Sequence, residues 1–197
     1  MVYDREKYDF KEGSLVLVDT NIWIKAFPKV ADPSTVNPYA AFIGKLVERG
    51  VRIGFDVVVA GEFVHAFVHL EQNRHNRLCQ IGERTDEFRK FKDFRESPYY
   101  KQAVEDALFQ LEQILECPNI ERVDCPFSQF DLKGIFIRLS TGKIDWNDLL
   151  IAENCRSHAW VLATNDGDFI REGIDVVTNN QTLLEKARLI EGQKKEN

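Results

Sequence analysis

Long apolar runs are missing from this 197-residue sequence. Stretches such as Leu15–Val18 and Val57–Ala60 fall far short of the roughly 20 residues a bilayer-spanning helix needs. The segment Met1–Glu12 carries seven charged residues and no apolar core of a signal peptide. Cysteines number four, at positions 79, 117, 125 and 155, with neither CxxC spacing nor the density of a secreted scaffold. Free thiols in a reducing, cytoplasmic setting are therefore expected. Glycine (11) and proline (6) are too few for a collagenous or low-complexity chain. A single methionine leaves little of the adaptable surface used by promiscuous binders. A basic excess is also absent: 26 Lys+Arg against 32 Asp+Glu gives a formal charge of −6. Any polyanion would have to be met by a local patch, because the overall charge repels it.

What is present suits a globular α/β protein. Hydrophobic residues make up 44% of the chain and include 14 Phe, enough to bury a core without staples. No linker interrupts residues 1–197, so a single domain is expected, with a charged lead-in over Met1–Gly13. Leu15–Val18 reads as a strand buried on both faces, ending abruptly in Asp19-Thr20-Asn21. A loop with Pro28, Asp32 and Pro33 follows. Asn37-Pro38 then supplies an N-cap and first-turn proline for a helix stopping at Gly50. Val51–Val59 predicts a second strand and Gly61-Glu62 the start of a helix. The apolar side of a helix from Ser97-Pro98 comprises Ala103, Ala107, Leu108, Leu111 and Leu115. Helices over Phe130–Leu139 and Trp146–Ser157, a strand at Trp160–Ala163, a strand at Ile174–Val177 and a helix over Asn180–Leu189 complete the alternation. Such alternation predicts a parallel sheet covered on both faces.

Ligands in open parallel sheets bind beyond the carboxyl ends of the strands. Asp19 and Asp166 follow two such strands. Glu62 and the pair Asp145/Asp148 fall at helix starts on the same edge. Singly, each has a plainer explanation: a strand end for Asp19, an N-cap for Asp145, a macrodipole partner for Glu62. Together they would repel one another unless a cation were bound, and a hard divalent ion with oxygen ligands, Mg²⁺ or Mn²⁺, removes that penalty.

Val18-Asp19-Thr20-Asn21 after a strand resembles the opening motif of the PIN-domain ribonucleases, VapC-like toxins among them. Asp148-Leu149-Leu150-Ile151-Ala152, followed by Thr164-Asn165-Asp166-Gly167-Asp168-Phe169, resembles their C-terminal motifs, and Glu62 after an apolar stretch matches between them. The resemblance covers residues 15–180. It implies a Rossmann-type three-layer α/β/α sandwich with a mostly parallel central sheet, and Mg²⁺- or Mn²⁺-dependent hydrolysis of RNA. By matching positions it implies Asp19, Glu62, Asp148 and Asp166 as catalytic, metal-binding acids, with Asn21 and Thr164 orienting them. Asp145 and Asp168 are additional acids alongside. The resemblance further implies a toxin held by an antitoxin protein, and a homodimer. The alternatives are a housekeeping RNA-processing nuclease and a non-cleaving PIN-like module that binds RNA or protein.

Many small members are shorter, and the extra length lies at about residues 71–127, expected as a helical insertion. Within it, Arg84, Arg89, Lys92 and Arg95 interleave with aromatics and are candidates for RNA contacts. A solvated mixed-charge face over a Phe core is the competing expectation. Glu62 and His65 resemble the Glu-x-x-His element of di-iron bundles, but no second copy exists, so packing, surface or capping roles are expected for His65 and His69.

Overall fold

The computed structural model describes residues 1–28 and 36–195, so Asp32 and Pro33 of the expected loop lie outside the described residues. The strands are β1 (Val2–Asp4), β2 (Leu15–Val18), β3 (Arg52–Phe55), β4 (Ile120–Arg122), β5 (Val161–Ala163) and β6 (Asp175–Thr178). The helices are α1 (Thr20–Ala26), α2 (Pro38–Glu48), α3 (Val57–Gln80), α4 (Phe91–Arg95), α5 (Pro98–Leu115), α6 (Leu132–Leu139), α7 (Trp146–His158) and α8 (Gln181–Lys195).

One sheet runs in the order β1-β6-β5-β2-β3-β4, and every pairing is parallel. Helices on both faces make it a three-layer α/β/α fold. All four residues of β2 are buried, as a central strand covered on both sides requires. From β2 the chain steps outward through β3 to β4, then returns to the other side of β2 for β5 and β6. Strand order therefore reverses between β2 and β5, which opens a crevice at their carboxyl ends.

Several boundaries differ from expectation, each for a tertiary reason. Met1–Gly13 is more than a lead-in: Val2–Asp4 pairs with β6 and closes one edge of the sheet. Thr20–Ala26 is helical, although too short to show a full amphipathic period. The second strand ends at Phe55. Val57, Val58 and Val59 instead open α3, because the buried Asp56 carboxylate accepts the Val59 amide at 2.9 Å as an N-cap. Glu62 consequently sits in the second turn of a long helix. In α5 the buried residues are Ala103, Ala107 and Ile114, while Leu108 and Leu115 face solvent. β4, within Cys117–Phe127, adds the far edge strand.

The main core gathers Trp23, Ile53, Phe63, Ile151 and Val176 around the sheet. A smaller cluster of Phe130, Ile135, Ile144, Leu149 and Leu150 fixes α6 against α7. Asn37 caps α2 through the Tyr39 and Ala40 amides, and Pro38 occupies the first turn, as the sequence predicts. The four cysteines are free, with Cys155 buried in the core. Among the described residues no helix is long and apolar enough to cross a membrane.

Candidate active site

The crevice between β2 and β5 is built on one buried carboxylate. Asp19 leaves β2 as the residue before α1 and is only 4% exposed. Its Oδ2 accepts from the Thr164 hydroxyl at 2.5 Å and from Asn21 Nδ2 at 2.5 Å. The Thr164 hydroxyl in turn accepts from Asn21 Nδ2 and from the Asp166 amide, each at 2.9 Å. Asn21 Oδ1 accepts the Asn165 amide at 3.1 Å. Every donor and acceptor of the Asn21 amide group and the Thr164 hydroxyl is thereby engaged, which locks the first loop to the one after β5.

Glu62 reaches the same edge from α3. Thr20 Oγ1 lies 3.3 Å from its Oε2 and 3.2 Å from the Val59 carbonyl, and the Asn147 side chain also hydrogen-bonds the Glu62 carboxylate. Asp148 projects from the first turn of α7 and is partly buried. Asp145 is the N-cap of that helix, its Oδ1 accepting the Asp148 amide at 2.9 Å. Asp166 is exposed, and its Oδ1 accepts the Asp168 amide at 2.9 Å, a local turn that holds the loop.

The electrostatics show that these acids share one field. Burial pushes Asp19 up to about 6, with hydrogen bonding from Thr164 opposing it and the Glu62 and Asp166 charges reinforcing it. Burial raises Glu62, with the Asp145 charge adding to it against the hydrogen bonds from Asn147 and Thr20. Asp148 is pushed up to about 8, first by burial and then by Asp145, Asp166, Asp19 and Glu62. Asp168 is raised by burial and by Asp166 and Asp145. Among the described residues no ion pair reaches Asp19, Glu62, Asp148 or Asp166. Nor do three His, Cys, Asp or Glu side chains close on one point as a ready-made metal cage there. Mutual repulsion keeps uncompensated carboxylates apart. An all-oxygen anionic edge of this kind suits a hard divalent cation, and Mg²⁺ ordinarily takes only one or two carboxylates, completing its shell with waters and phosphates.

Sequence reasoning passed over Thr20 and Asn147, which hold Glu62, and Asn165. The Asn165 side chain joins β6 through the Thr178 hydroxyl at 3.1 Å, and its carbonyl accepts from Asn180 Nδ2 at 3.0 Å. Thr20 adjoins Asp19, Asn147 adjoins Asp148 and Asn165 adjoins Asp166, and that adjacency is their sequence signal. Of the basic candidates, Lys92 and Arg95 sit on α4, which packs through Phe91 against His65 and His69, about one and two turns along α3 from Glu62. Eighteen residues of α3 separate Glu62 from Gln80, about 27 Å at the helical rise, before the chain reaches Arg84. Arg84 donates to His75 Nδ1 at 2.5 Å and stacks over Tyr99 at 4.8 Å. Arg89 is exposed beside Glu87, and Lys92 and Arg95 are exposed on α4. His65 and His69 touch through Nε2 atoms 3.1 Å apart, and His69 stacks on Phe91 at 4.1 Å, a packing arrangement that fastens α4 to α3.

Fold and crevice together define a doubly wound α/β protein with a carboxylate-lined switch point. Residues 16–174 match the PIN domain family model, and the chain belongs to that family, whose members are nucleases. Among solved structures it is similar to VapBC2 from Rickettsia felis bound to a DNA fragment from their promoter. That match has 19% identity and a TM-score of 0.50, covering 83% of this chain and 98% of that one. It is also similar to FitAcB from Neisseria gonorrhoeae, with 19% identity, a TM-score of 0.46, and 82% and 96% coverage. Direct sequence comparison with curated proteins gives no match.

Proposed function

We propose that the chain is a Mg²⁺- or Mn²⁺-dependent endoribonuclease, acting as the toxin of a toxin–antitoxin pair, with Asp19, Glu62, Asp148 and Asp166 as its metal-binding acids. The observation that carries this reading is the crowding of carboxylates at the β2/β5 crevice, where burial, reinforced by four neighbouring acids, pushes Asp148 up to about 8. Buried acids without compensation cost stability, so their concentration at a ligand-binding edge supports a cation-dependent role.

Bound there, the cation would supply an activated water and neutralise charge on the phosphate under attack. The chain's own groups do the rest. Thr164 and Asn21 fix Asp19 through Oδ2. Thr20 and Asn147 hold Glu62 against the rotation that repulsion from Asp145 would favour. Burial and the acids around it push Asp148 up to about 8, so a cation held there would have to displace its proton. The single-domain organisation over 1–197, a cytoplasmic location and a homodimer belong to the same proposal. A cognate partner is supported by the description of the Rickettsia felis neighbour as VapBC2 on promoter DNA.

Cleavage of mixed RNA with Mg²⁺, Mn²⁺ or chelator, with wild type beside Asp19→Asn and Asp148→Asn, tests the reading. Metal-dependent cleavage lost in both variants is expected. Metal-independent cleavage, or full activity in either variant, overturns the ligand assignment. RNA or protein binding without any cleavage would promote the non-cleaving module.

A further inference from the structure

A cavity of about 630 Å³ opens beside the acidic crevice, between the α6–α7 loop, the loop after β5, and α8. Its wall begins one residue from Asp145, at Ile144, and one residue from Asp166, at Gly167. Asp168 lies on that wall and feels the charges of both Asp166 and Asp145, so the cavity adjoins the acidic crevice.

Apart from Asp168, an exposed acid at the crevice end that opposes an anion there, the charges lining it divide into two groups. Arg138 is committed: its guanidinium bonds Glu153 and Glu172 at 2.6 Å each, and Arg156 also pairs with both acids. That network neutralises Glu172 and stiffens the floor. Lys143, Arg171 and Lys186 are exposed and make no ion pair or side-chain hydrogen bond among the described residues. Between them stand Ile144, Ile170 and Leu189, an apolar wall.

Uncommitted cations beside an aliphatic wall suit a ligand carrying both an anion and a weakly polar body. A bare anion would gain nothing from the isoleucines, and an aliphatic ligand nothing from the cations. A nucleotide of single-stranded RNA presents both features, and the volume lies in the usual range for small-ligand pockets. The position also answers an electrostatic problem. A carboxylate edge on a chain of net charge −6 repels a polyanion until cations intervene, and these three side chains stand where a strand leaving the crevice would pass.

We infer that this cavity is the RNA-strand subsite of the enzyme, with Lys143, Arg171 and Lys186 gripping the phosphates that flank the scissile bond and Ile144, Ile170 and Leu189 receiving a base or ribose. The inference rests on the endoribonuclease reading above.

The test is binding of a fluorescein-labelled 12-nucleotide single-stranded RNA to the full chain in chelator, over a salt series. Wild type is compared with the Lys143→Ala/Arg171→Ala/Lys186→Ala triple variant, all surface positions, after a melting check that both are folded. Loss of three phosphate contacts predicts affinity lower by about 10- to 100-fold and a log–log salt slope shallower by about 2. Unchanged affinity and slope, or no RNA binding by wild type, overturns the subsite. Equal binding of polyglutamate, weakened equally in the variant, also overturns it and assigns the cavity to an acidic protein partner. Binding is read without metal and cleavage with it. A wild type that binds RNA through these residues but never cuts refutes the nuclease reading and leaves the subsite standing.

Discussion

The Thr164 hydroxyl donates to Asp19 Oδ2 at 2.5 Å, joining residues 145 positions apart in the chain. Both are buried, and both stand at the carboxyl ends of adjacent parallel strands, where Val18 registers with Ala163. That bond opposes the effect of burial on Asp19 and carries the β5 loop, with Asp166, into the same edge.

Replacing Thr164 by Val removes the donor to Asp19 and the acceptor for Asn21 and the Asp166 amide. Asp19 Oδ2 keeps its bond from Asn21, so the cost is that of under-satisfying one buried carboxylate, about 1–3 kcal/mol in all. Denaturant unfolding should show a loss of that size. Asp19 should also titrate above its present value of about 6, moving the acid limb of any pH–rate profile upward. Thr164→Ser keeps the hydroxyl and should restore the profile.

Without divalent cations, stability should decline as pH rises. The folded-state value of Asp148 is about 8 against an ordinary value of 3.8, so across that window the folded protein binds more protons than the unfolded one. Stability is then greatest below the unfolded value and is lost as pH rises toward 8. Asp148→Asn removes this titration. Thermal melts in chelator should show the variant above wild type at pH 8, with a flatter pH dependence, and parallel curves would contradict the assignment.

Mg²⁺ should reverse that decline. Binding to the folded state alone at about 100 times Kd adds about 2.7 kcal/mol, read as a rise in Tm. Because Asp19 and Asp148 must surrender protons to a cation, affinity should increase from pH 6 to pH 8, with proton release measurable by calorimetry in buffers of different ionisation enthalpy. Asp19→Asn should reduce the rise sharply.

Asn154 ties the two helices that carry Glu62 and Asp148. It is fully buried on α7, and its Nδ2 donates to Asp56 Oδ2 at 3.0 Å and to the Asp124 carbonyl at 3.1 Å. Asp56 is the cap that starts α3. Asn154→Ala should cost about 2 kcal/mol through loss of the donor to the buried Asp56 Oδ2, and should lower cleavage by more than the unfolded fraction accounts for. Unfolding curves paired with rates normalised to folded protein separate the two effects.

The sequence by itself determined the chemistry-bearing loops and the parallel, helix-covered character of the sheet, while the strand order came with the fold. Leu15–Val18 reads as a strand covered on both faces, and Asp19, Asn21, Thr164 and Asp166 follow strands whose ends are marked by an abrupt change from apolar to polar residues. Such signals are local, so they survive without knowledge of neighbours. Tertiary structure decided the rest. The valines at 57–59 favour a strand by propensity, yet burial of Val59 and the Asp56 cap, itself held by Asn154, make them helix. The edge strands Val2–Asp4 and Ile120–Arg122 are three residues each, too short to carry a period, and exist because β6 and β3 offer open hydrogen-bonding edges. The roles of Thr20 and Asn147 beside Glu62, and the cavity lined by Lys143, Arg171 and Lys186, arise only when segments far apart in the chain meet. A sequence pattern records which side chains are available, but their distances and desolvation, and hence their charges, are set by the packed fold.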